Sequence, residues 1–83
     1  MTIEDRIRRF VVDDLHGPSQ LTTDYPLIER GVVDSLGIMH LVSFVESEYG
    51  VTVEDEELTP DNFATIRALA NLVKTKTGSK GHT

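Results

Sequence analysis

The chain is 83 residues long, 39% hydrophobic and 27% charged, with a net charge of −6 and no cysteine. That suits one small domain with a single core cluster and leaves no room for a second domain or a large internal catalytic cavity. A disulfide framework and a thiolate zinc site are excluded, the acidic balance has the wrong sign for nucleic-acid binding, and no apolar run is long enough to span a membrane.

The first apolar residues, Ile3, Ile7, Phe10, Val11 and Leu15, recur at helical spacing and predict a helix over about residues 3–15. Thr2 is its expected cap, Asp5 the acidic half of a capping box, and "HGPS" its end. The start, "MTIEDRIRRF", lacks the apolar stretch of a secretory signal, which points to the cytoplasm. A connection from His16 to about Val33 follows, longer than most helix-to-helix loops. Leu21, Tyr25, Leu27 and Ile28 are the apolar residues available to pin it, and Gly31 is suited to a positive-φ bend.

The second helix is expected over Ser35 to Tyr49, with Asp34 as N-cap and Gly50 as its left-handed end. Ile38, Leu41, Val42, Val45 and Tyr49 share one face, while Leu36, His40, Ser43 and Ser47 lie opposite, with Met39 at the margin. A single exposed leucine is ordinary. Leu36 and Met39 beside Ser35 read as a small docking patch. "VTV" at 51–53 is expected to be extended, and Pro60 to open one helical turn before Phe63. A last helix over about Thr65 to Lys76 carries Ile66, Leu69, Ala70 and Val73 on one face, with Thr65 as cap and Lys74 and Lys76 at its negative end. "TGSKGHT" is expected to be a disordered tail. The expected architecture is an all-α four-helix bundle over residues 1–76, with three main helices, one short one and a long first loop, followed by a tail over 77–83.

Between Gly31 and Ile66 there are eight acids and neither Lys nor Arg, so the remainder of the chain carries +2. Such a one-sided field favours encounter with basic surfaces. The acids from Glu54 to Asp61 lack the alternation and central glycine of a calcium loop and read as solvated. His16, His40 and His82 lie far apart in sequence, which argues against a metal site or a Ser-His-Asp arrangement. Ser35 lacks the glycine-flanked elbow of hydrolases. At the first turn of a helix, however, the macrodipole and free N–H groups favour an anion by about 0.3–1 kcal/mol. Asp34 would repel such an anion, or help an incoming enzyme position the hydroxyl. With no base of its own, Ser35 is a substrate for another enzyme and no catalytic residue is expected.

The run "LIERGVVDSLGIMHLVSFVESEYGVTVEDEELTPDNFATIRALANLV", with its "DSL", the buried spacing of the second helix and "NFATI" before the last, resembles the attachment region of acyl and peptidyl carrier proteins. In particular it is similar to discrete carriers of polyketide or nonribosomal peptide pathways. The resemblance implies that Ser35, in its motif with Asp34, carries 4'-phosphopantetheine, transferred from coenzyme A by a phosphopantetheinyl transferase. The arm's thiol would hold acyl or aminoacyl groups as thioesters. It also implies a second helix recognised by partners, here through Leu36, Met39, His40 and Ser43. Those partners would be an adenylate-forming ligase and downstream biosynthetic enzymes, and the carrier a monomer. One departure is that Gly37 and His40 stand where fatty-acid carriers typically have acids, so docking should depend more on apolar contact than on charge. The alternatives are a fatty-acid synthesis carrier and an unmodified helical interaction domain.

Overall fold

The structure, a computed structural model, describes residues 2–81, the last four by backbone alone. Four α-helices occur in order: α1 (Ile3–Asp14), α2 (Ser35–Tyr49), α3 (Pro60–Phe63) and α4 (Ile66–Gly81). A 3-10 turn at Asp55–Glu57 precedes α3, and no strand occurs among the described residues. The fold is therefore all-α, with three long helices and one short, as the apolar periodicity and Pro60 predict.

Local chemistry accounts for the helix ends. Thr2 Oγ1 accepts the Asp5 N–H at 3.1 Å, and the Thr2 N–H donates to Asp5 Oδ2 at 3.3 Å, closing the expected capping box. After α1 the chain turns through His16 at φ 60°, and the Gly17 N–H returns to the Val11 carbonyl at 3.0 Å. A histidine thus occupies the left-handed position that glycine usually fills after a helix. Gly50 plays that part after α2, with φ 65° and its N–H on the Glu46 carbonyl at 3.0 Å. Pro60 sits in the first turn of α3, and Thr65 Oγ1 caps α4 by accepting the Ala68 N–H at 3.0 Å.

The core gathers Ile7 and Val11 from α1, Leu41, Val42 and Val45 from α2, Phe63 from α3, and Ile66, Leu69, Ala70 and Val73 from α4. α4 is the common support, packing against each of the other three helices. The predicted faces hold, although Ile38 and Tyr49 are only half-buried. Val51 of the "VTV" segment is buried, and the Val53 N–H donates to Glu46 Oε2 at 2.9 Å.

The long α1–α2 connection is tied down by apolar anchors and by backbone bonds. Leu21 and Leu27 are buried, with Tyr25 and Ile28 partly so. The Leu27 N–H donates to the Ala64 carbonyl at 2.8 Å, while the N–H groups of Val32 and Val33 converge on the Leu27 carbonyl at 2.9 and 3.1 Å. The Arg67 N–H donates to the Thr23 carbonyl at 2.9 Å, a second tie between this connection and the start of α4.

The last helix departs from expectation. It does not end at Lys76 but continues to Gly81, so residues 77–81, expected as tail, are helical; His82 and Thr83 lie outside the described residues. No proline interrupts this stretch, and Lys76 is held by an ion pair with Glu57 at 2.7 Å, which anchors the helix past its last core residue. Among the described residues no helix is long and apolar enough to cross a membrane.

Candidate functional site

The tied loop delivers the chain to α2 in a fixed direction. Gly31 bends it at φ 76°, Val33 is buried, and Asp34 follows with extended backbone as the N-cap. Asp34 Oδ1 accepts the Gly37 N–H at 2.8 Å, and the Asp34 carbonyl accepts the Ile38 N–H at 2.8 Å, the first bond of the helix. The capping task is therefore carried by Asp34. Ser35, next in line, is exposed, and its hydroxyl makes no hydrogen bond among the described residues. A serine that merely started the helix would be using its oxygen on a backbone N–H. This one presents a free hydroxyl at the positive end of a helix dipole instead.

Around it, Leu36 is 67% and Met39 54% exposed, two of the few large apolar side chains on the surface. His40 and Ser43 are exposed beside them. The four residues expected to face outward from α2 therefore do so together. Both acids further along the helix are already engaged: Glu46 receives the Val53 N–H, and Glu48 pairs with Arg6 of α1. On α2 itself, the surface that follows Ser35 is thus apolar and neutral more than acidic.

Folding also brings together residues that the sequence holds apart. His16 and His40 line one cleft of about 370 Å³ beside the start of α2, together with Asp14, Asp34 and Gly37. No group of three or more His, Cys, Asp or Glu able to hold a metal ion occurs among the described residues, and His82 lies outside them. A second meeting is that of Phe10 on α1 with Phe44 on α2, whose rings stack with centroids 4.5 Å apart. Sequence periodicity leaves Phe44 outside the buried face of α2, and the signal that would find this pair is an aromatic on each helix at the margin of its apolar stripe.

The site is thus an open surface at the N-terminal tip of α2, where an exposed serine hydroxyl stands beside an apolar patch and a shallow cleft. The family described as "Phosphopantetheine attachment site" matches residues 5–73. The chain belongs to this family and carries 4'-phosphopantetheine as its covalent prosthetic group. It is 39% identical to the probable acyl carrier protein PigG of a Serratia species over 65% of this chain and 62% of that protein. It is 33% identical to the acyl carrier protein of Petrotoga mobilis over 87% of this chain and 84% of that one. Among solved structures it is similar to KstB-PCP in the apo form, with a TM-score of 0.73 and 31% identity over 87% of this chain and 82% of that one.

Proposed function

We propose that Ser35 is the attachment residue, and that the chain carries acyl or aminoacyl intermediates of a polyketide or nonribosomal peptide type pathway. The observation that carries this reading is the division of labour between Asp34, which caps α2, and Ser35, whose hydroxyl is exposed and unengaged. The residues fit the group: the helix dipole favours a phosphodiester there, and an exposed N-terminal turn leaves a modifying enzyme room to approach. When bound, the arm supplies a thiol that holds cargo as a thioester. The chain's own contribution is to fix one end of the arm while doing no catalysis itself. A tethered intermediate then meets each docked enzyme as an intramolecular partner.

The partners are a phosphopantetheinyl transferase, an adenylate-forming ligase and the enzymes that process the cargo, meeting the carrier at Leu36, Met39, His40 and Ser43. Similarity to PigG and to KstB-PCP supports the pathway class. The engagement of Glu46 and Glu48 within the fold favours docking by apolar contact over the charge-led docking of a fatty-acid carrier. The test is incubation with coenzyme A and a broad-specificity transferase, followed by intact mass. One phosphopantetheine per chain is expected, and none on Ser35→Ala. A mass gain that persists in Ser35→Ala relocates the site, and no gain in either protein leaves an unmodified interaction domain.

A further inference from the structure

Two clefts flank α2 and meet at one residue. The first is the cleft beside Ser35 that holds His16 and His40. The second, about 330 Å³, lies between α1 and α2 against Phe10 and Phe44, with Arg6, Asp13 and Glu48 among its lining residues. Asp14 lines both. On α2, Gly37, His40, Phe44 and Glu48 follow one another at three- or four-residue steps and so share one face. The two clefts therefore form a trough along the α1 side of α2, starting beside the attachment serine.

The charges of this trough are unevenly matched. Arg6 pairs with Glu48, and Arg9 approaches Asp13 at 3.8 Å. Asp14 makes no side-chain hydrogen bond or ion pair among the described residues. Asp13 and Asp14 also close α1 without a basic residue in its last turn, which opposes the helix dipole, since that end favours cations. A carboxylate that weakens its own helix, unpaired at the junction of two clefts, is a local rule broken where a ligand has access.

We propose that the trough holds an aminoacyl group carried on Ser35, its ammonium at Asp14 and its side chain against Phe10 and Phe44. This rests on the assignment of Ser35 above. Phe44 lies nine residues beyond Ser35, about 14 Å along the helix axis, shorter than the extended arm. A plain acyl chain would gain the aromatic contact but leave Asp14 unpaired. An ammonium supplies the missing cation at the end of α1 and the selectivity for aminoacyl cargo.

The experiment loads the apo protein, through a broad-specificity transferase, with two coenzyme A analogues ending in stable amides. One carries phenylalanyl and the other 3-phenylpropionyl, which lacks only the amine; intact mass reports loading, and backbone amide chemical shifts relative to the unacylated arm report docking. The phenylalanyl form is expected to shift Phe10, Asp14 and Phe44, and the phenylpropionyl form to show a roughly two- to fivefold lower docked population, the range of an exposed ion pair. Asp14→Asn, which removes an adverse charge and keeps the fold, should abolish that difference. Loaded protein with unmoved resonances at these residues overturns the proposal, as do equal shifts for the two cargoes. Failure to load either analogue instead overturns the assignment of Ser35.

Discussion

Asp34 Oδ1 accepts the Gly37 N–H at 2.8 Å across the first turn of α2, and Ser35 sits inside that loop with its own oxygen unused. Removing the acceptor in Asp34→Ala should lower stability by about 0.5–2 kcal/mol, with a much smaller loss for Asp34→Asn, because asparagine is an equally good cap. Urea unfolding followed by circular dichroism measures both. Equal losses in the two variants would show that charge, and not the cap bond, is what Asp34 contributes.

Leu36→Glu should leave stability within about 0.5 kcal/mol of the parent, since the side chain is largely in water. Turnover by a partner enzyme acting on the loaded carrier should fall by about tenfold or more, the effect of losing an apolar anchor at a docking surface. Kinetics with loaded carrier as the varied substrate, alongside a thermal melt, separate docking from folding.

Val45→Asp should abolish cooperative unfolding. Val45 is fully buried, and a carboxylate there has no partner among the core residues, all of them apolar. The cost is several kcal/mol in a domain whose total stability is about 4–12 kcal/mol by size. A retained sigmoidal melt near the parent midpoint would contradict the placement of α2 against α4.

Acid should destabilise the fold through a small set of carboxylates. Lys74 holds the Glu4 pKa below the usual glutamate range by hydrogen bonding, Lys76 does the same for Glu57, and Arg67 for Asp24. The Thr2 N–H, with help from Arg8, depresses Asp5. A carboxyl whose folded pKa is depressed contributes fully above its unfolded value and loses that contribution as pH falls through the folded one. The thermal midpoint should therefore hold near neutrality and decline below about pH 4.5. The decline should be shallower in the double variant Glu4→Gln, Glu57→Gln. Asp24 is exposed and the other three are partly in solvent, so each effect is small.

Much of this was legible before folding because it is local. Thr2 with Asp5, Asp34 ahead of Ser35, Gly50 after Tyr49 and Thr65 before Ile66 are caps within a few residues of what they satisfy; apolar periodicity placed the three long helices and Pro60 the short one. What escaped the sequence is long-range. Phe10 and Phe44 are 34 positions apart and stack because α1 and α2 happen to lie side by side. His16 reaches the cleft of His40 by itself adopting a left-handed backbone, which is uncommon for any residue but glycine and is not marked by the apolar pattern. The extension of α4 to Gly81 escaped for a related reason: "TGSKG" has poor helix propensity, while the Lys76–Glu57 pair that holds the preceding turn joins distant segments.

The acidic centre draws its counterions from the two ends of the chain, Arg6 for Glu48 and Lys76 for Glu57, while Lys74 serves Glu4 near the start. The buried apolar inventory is complete by Val73. A version trimmed there would keep its oily interior yet shed Lys74, Lys76 and Lys80, becoming three units more negative. Its residual repulsion would make added salt a stabiliser. The shortest piece that can collapse is thus several residues shorter than the shortest piece that is electrically at ease.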